Sequence, residues 1–151
     1  MSDFSARVMT DIKTAMKAKD AVALTALRAL KTALTNAAIE KGGLGTELEE
    51  GEALAVVRKQ VKQRQDSYQQ FTDAGRAELA EKEEAEIKVL EGYLPQALSA
   101  EELEKLVDEA VAEAGATSRA DMGKVMKLAQ EKAAGRAEGK VLSAAVMKRL
   151  S

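Results

Sequence analysis

A single proline, Pro95, interrupts a chain whose apolar residues otherwise recur almost everywhere at helical spacing. Proline lacks the amide that a helix interior needs, and it pushes the residue before it, here Leu94, out of the helical region. One such break in 151 residues, beside 29 Ala and only ten Gly, leaves helix as the structure this sequence favours. Phe4, Val8, Ile12 and Met16 lie four apart and predict a first helix from about Asp3 to Ala18. Asp20 has the place of an N-cap for a second helix, whose face carries Leu24, Leu27, Leu30, Leu34 and Ala38. Gly42, Gly43 and Gly45 stop it. Thr46 and Glu49 have capping-box spacing for a third helix, with Gly51 allowing a slightly later start; Leu54, Val57, Val61, Tyr68 and Phe71 line it. Asp73 and Gly75 break the chain before a fourth helix, which places Leu79, Ile87, Leu90 and Leu94 inward.

Beyond Pro95, Ser99 and Glu102 form a capping box for a fifth helix with Leu103, Leu106, Val107 and Val111, ended by Gly115. Ser118 and Asp121 suggest a further cap, followed by Met122, Val125, Met126 and Ala129 on a sixth helix. Gly135 and Gly139 bracket a turn, and a last helix carries Val141 or Leu142, then Ala145, Val146 and Leu150. There is no alternating strand pattern and no internal repeat of the roughly 20–50-residue kind that marks a solenoid. The expectation is an all-α protein, with a four-helix N-terminal domain over residues 1–95 and a three-helix C-terminal domain over residues 96–151.

Missing residue types exclude whole classes of chemistry. With no Cys there is no disulfide, thiolate nucleophile or redox motif, and with no His there is no imidazole base and no usual zinc site. No cofactor is expected, and only an oxygen-ligand Mg or Ca site stays open. The phosphate-cradling glycine loop is absent: Gly139-Lys140 is followed by Val141, and position 134 is Ala. No Ser has a Lys three residues later. The acids of Glu81–Glu86 read as a solvated helix face. Phe4, Tyr68, Phe71 and Tyr93 fall on apolar stripes and read as core rather than a base-stacking platform, and Met122, Met126 and Met147 read as gap-filling core. The most apolar stretch, Ala21–Leu30, is broken by Thr25 and Arg28, so no membrane span is expected. Arg7, Lys13, Lys17 and Lys19 give the first 19 residues a presequence-like charge, but Asp3 and Asp11 within them favour a plain first helix. The expected location is the cytoplasm.

A net charge of −2 gives no global reason to bind nucleic acid, and no DNA partner is expected. The total conceals a division. Residues 96–118 hold six acids and one base, whereas residues 119–151 hold eight bases and three acids.

The C-terminal part also carries a recognisable pattern. Tyr93-Leu94-Pro95, Leu98-Ser99, Glu101-Glu102-Leu103, Gly115-Ala116, the run Ala120-Asp121-Met122-Gly123-Lys124-Val125-Met126, and Gly135-Arg136-Ala137 with Gly139 and Val146 closely resemble the YqeY-like (GatB/YqeY) family. The Lys19-Asp20 junction and Gln63-Arg64-Gln65-Asp66-Ser67 extend the resemblance to the N-terminal half. The last third is similar to the tail domain of the GatB subunit of tRNA-dependent amidotransferase, a small helical module associated with tRNA. In that enzyme the chemistry occurs on a separate, larger cradle domain, for which this chain is too short. The resemblance therefore implies a shared module without a shared active site.

Phosphate contacts need only cations and exposed backbone amides. Lys124 and Lys127 share a helical flank, Lys132 follows about a turn later, Arg136 and Lys140 flank the glycine turn, and Lys148 and Arg149 close the chain. Gly123, Gly135 and Gly139 could let a sugar–phosphate chain approach closely. A purely structural reading stands beside this one: the bases can face the acids of helix five, Gly123 can serve close helix packing, and Gly135 can be a C-cap. The leading expectation is a non-catalytic module that binds tRNA or a translation-related protein. Two alternatives stay open. One is an amidotransferase-like carbon–nitrogen ligase activity, with glutamine as amido-N-donor, or an accessory subunit of such an enzyme. The other is a protein–protein adaptor working through the acidic faces of helices four and five.

Overall fold

The computed structural model describes residues 2–151. Among them there are seven α-helices and no strand: α1 (Asp3–Ala18), α2 (Ala21–Gly42), α3 (Glu50–Asp73), α4 (Ala77–Glu91), α5 (Ala100–Ala114), α6 (Met122–Ala133) and α7 (Gly139–Leu150). A single 3-10 turn, Arg119–Asp121, leads into α6. The fold is all-α. Contacts divide the chain between Leu94 and Pro95 into two compact units.

Local capping chemistry sets most of the boundaries. The Asp20 carboxylate accepts the Ala23 amide at 3.1 Å and starts α2. At α5 the Ser99 hydroxyl accepts the Glu102 amide at 3.1 Å while Glu102 accepts the Ser99 amide at 3.3 Å. Gly115 ends that helix in the left-handed region, at φ +63°. The start of α3 differs from the Thr46 expectation: Glu49 is the N-cap, and the Glu52 carboxylate accepts its amide at 2.9 Å. The same Glu52 oxygen lies 2.6 Å from Lys41 Nζ at the end of α2, so an ion pair across the loop supports the later start.

In the N-terminal unit α3 and α4 share the largest interface, and α2 packs on both α1 and α4. Val8, Ile12, Leu27, Leu30, Val57, Val61 and Leu90 fill its core. Tyr93 ties α1 to the segment after α4: its hydroxyl donates to the Asp11 carboxylate, and the Arg7 guanidinium lies over its ring at 4.5 Å. Arg7 also donates to the Gly92 carbonyl at 3.1 Å.

Two expectations fail on α4. Leu79 is exposed, and Glu86, assigned to a solvated face, is only 4% exposed. The helix turns Ala80, Glu86 and Leu90 inward, so a carboxylate takes a core position. In the C-terminal unit Leu106, Val107, Val111, Val125, Ala129, Leu142 and Val146 form a second core. Leu142 rather than Val141 points into it, and Met147, expected as core, is exposed, because Leu142 and Val146 already occupy the inward positions of α7.

Candidate functional site

The seven cations singled out in the sequence lie on α6, α7 and the turn between them, and the structure divides them into two groups. Three are paired with the acids of α5. Lys132 Nζ donates to Glu113 at 2.7 Å and lies 4.0 Å from Glu109. Arg149 Nε donates to Asp108 at 2.8 Å. Arg136 bonds Glu102 at 3.1 Å through Nη2 and the Gln96 carbonyl at 2.8 Å through Nε, while its own carbonyl accepts the Leu98 amide. Arg136 thus joins the α6–α7 turn to the segment that enters α5.

These pairs leave an electrostatic trace. The Glu113 carboxylate raises the Lys132 ammonium above its ordinary range. Glu102 is held below the ordinary carboxylate range, first by the Ser99 amide, then by the Ser99 hydroxyl and Arg136. The acids and Arg149 are exposed and Lys132 and Arg136 partly so, so each pair contributes little stability; together they fix α6 and α7 against α5.

Lys124, Lys127, Lys140 and Lys148 make no hydrogen bond or ion pair among the described residues. All four are exposed, the first two on α6 and the others on the first and last turns of α7. Gly123 and Gly139 sit beside Lys124 and Lys140, and a Cβ at either would meet nothing within 4 Å. Close helix packing therefore does not explain Gly123. Gly135 has φ +81° and follows Ala134, itself the left-handed C-cap of α6 at φ +47°. The turn needs both left-handed residues, which gives Gly135 a structural role.

The N-terminal unit holds a polar constellation that the sequence reading missed. Arg64 on α3 and Glu86 on α4 face each other, Nε to Oε2, at 3.5 Å, with side chains only 12% and 6% exposed. Arg64 Nη1 donates to the Gln60 side chain at 2.9 Å, while its buried Nε–H has no acceptor. Beside them burial and the Glu86 charge raise the Glu83 carboxyl, with Arg64 and Lys82 acting the other way. The signal was present in the spacing. Arg64 interrupts the stripe Val57, Val61, Tyr68, Phe71, and Glu83 and Glu86 stand between Leu79 and Leu90 on the same helical face. Charges at core positions of two consecutive helices point to each other. No group of three acidic side chains among the described residues could hold a metal ion.

Comparison with known proteins gives the family. The family described as "Yqey-like protein" matches residues 5–150, nearly the whole chain. The chain belongs to the YqeY-like family. Among curated relatives, the "Altered inheritance of mitochondria protein 41, mitochondrial" of Lachancea thermotolerans is 35% identical over 102 residues, 68% of this chain and 54% of the relative. Proteins of the same name from Pyrenophora tritici-repentis (31% over 107 residues, 70% of this chain and 58% of the relative) and Clavispora lusitaniae (38% over 99 residues, 64% and 56%) align similarly. The chain spans little more than half the length of these relatives. Their names correct one expectation: YqeY-like relatives are mitochondrial proteins, which conflicts with the assignment to the cytoplasm. No helix of the structure is long and apolar enough to cross a membrane.

Proposed function

We propose that the C-terminal unit is a non-catalytic, tail-like module that binds tRNA through Lys124, Lys127, Lys140 and Lys148. One observation carries the reading. Of the seven cations, three pair with acids of α5, whereas Lys124 and Lys140, each beside an open glycine, and Lys127 and Lys148 make no hydrogen bond or ion pair among the described residues. An unpaired ammonium on a solvent-facing helix is free to contact phosphate, and an open glycine lets the backbone approach. Lys132, Arg136 and Arg149 then act indirectly, by holding α6 and α7 in place. With all four aromatic residues, Phe4, Tyr68, Phe71 and Tyr93, in the N-terminal unit, the surface would read backbone and shape rather than base sequence.

The adaptor reading draws on the acidic faces of α4 and α5; on α5, Glu102, Asp108 and Glu113 are already engaged within the unit. Amide-transfer chemistry would need a named catalytic carboxylate on this surface, and none stands out there.

A gel shift with total tRNA over a salt series tests the proposal. Replacing the four free lysines with Ala is expected to abolish the shift at moderate salt with the helical circular dichroism unchanged. Replacing Lys132 and Arg149 instead should have the smaller effect. Equal binding by the wild type and the four-lysine variant at every salt concentration would overturn it.

A further inference from the structure

The pair Arg64–Glu86 is not isolated within the N-terminal unit. With Gln60 and Ser67 of α3, Glu83 and Lys82 of α4 and Thr25 of α2, it borders an open cleft of about 450 Å³. Phe71 and Leu79 form the apolar part of its wall, and Leu79 is 38% exposed. Clefts of this volume accommodate small molecules.

A purely structural account of the cleft is incomplete. Removing two charges from water costs more than their attraction returns unless hydrogen bonds close the pair, and well-packed apolar residues often serve stability as well or better. Here the pair is not closed, since Arg64 Nε lacks an acceptor. A large apolar side chain at its mouth also remains partly in water. Charged groups perturbed by burial in a cleft are a signature of functional sites.

The charges restrict what fits. Arg64 and Lys82 against Glu83 and Glu86 give a formally neutral cleft with both signs present. A simple anion would meet two carboxylates, and a simple cation would meet two cations. An uncharged apolar molecule would strip water from all four groups and return nothing. A small molecule with a carboxylate and an ammonium a few ångströms apart satisfies both signs together. We infer that this cleft binds a free α-amino acid, its carboxylate toward Arg64, its ammonium toward Glu83, and an uncharged side chain against Phe71 and Leu79. Glu86 holds the Arg64 guanidinium and is a positioning residue. The site is independent of the tRNA surface, and either can fail without the other.

The test titrates the full chain with leucine, with isocaproate, which lacks the amine, and with isoamylamine, which lacks the carboxylate. Nitrogen–proton correlation spectra follow the amides of α3 and α4 and the Arg64 Nε–H. Leucine is expected to give saturable shifts there, and each single-charge analogue to bind at least about tenfold more weakly. Glu83→Gln should weaken leucine by a similar factor, with unchanged circular dichroism, since Glu83 is only half-buried and its replacement leaves the Arg64–Glu86 pair intact. The absence of saturable shifts, an analogue that binds as tightly as leucine, or an unchanged leucine affinity in Glu83→Gln would each overturn the inference.

Discussion

Glu86 is the residue on which the N-terminal unit has most to lose. Replacing it with Ala leaves the Arg64 guanidinium buried without a counter-charge, and breaking such a pair costs about 3–5 kcal/mol. The double variant Arg64→Met with Glu86→Leu removes both charges at similar volume and is expected to recover most of that loss. Urea unfolding followed by tyrosine near-ultraviolet dichroism measures both variants in this unit alone, because Tyr68 and Tyr93 both lie within it. Tyr93 allows a pH prediction. Burial first, then its hydrogen bond to Asp11 and the Asp11 charge, raise its phenol well above the ordinary 10.0. Below that ordinary value both folded and unfolded phenols are neutral and the contribution is complete. Above it the unfolded chain loses its proton first, so stability falls as pH rises from about 10 toward the folded-state value. The stability difference between wild type and Tyr93→Phe, measured at about pH 8 and again near pH 11, should shrink at the higher pH.

At the scale of elements, capping explains why most boundaries could be read from the sequence. A cap is satisfied within four residues, so Asp20, Ser99–Glu102 and Gly115 act whatever the helices pack against. The start of α3 was misplaced because the Lys41–Glu52 pair joins the end of one helix to the start of the next. Two small residues of the C-terminal unit give opposite tests. Ala134 holds a left-handed conformation that costs a non-glycine residue about 1–2 kcal/mol, so Ala134→Gly should stabilise the unit by up to about 1 kcal/mol. Gly123 lies in open helix, and Gly123→Ala should also stabilise, by up to about 1 kcal/mol. Thermal melts followed by circular dichroism measure both. If Gly123 gives a phosphate chain access to the backbone, Gly123→Ala will lower tRNA affinity while raising the melting temperature.

Across the whole molecule, a formal charge of −2 describes neither surface nor function. Acids of α5 pair with Lys132, Arg136 and Arg149, while Lys124, Lys127, Lys140 and Lys148 stay exposed on α6 and α7 of a nearly neutral protein. Exposed ion pairs contribute little, so added salt should change the melting temperature only slightly. Four phosphate contacts, in contrast, should give a log–log slope of tRNA affinity against salt of about −3 to −4, flattened toward zero in the four-lysine variant. A fluorescence-anisotropy titration at several salt concentrations measures the slope.

The amino-acid sequence by itself determined that this protein is helical, where most helices begin and end, and which family it resembles, since periodicity and capping are properties of neighbours along the chain. Only the tertiary structure decided which charges are spent. Lys132, Arg136 and Arg149 meet acids 19 to 41 residues away, whereas Lys124, Lys127, Lys140 and Lys148 meet none among the described residues. Arg64 and Glu86, twenty-two positions apart, become one buried pair because α3 and α4 pack along each other. Coulomb energy depends on distance and burial, and neither is a property of a residue's place in the sequence.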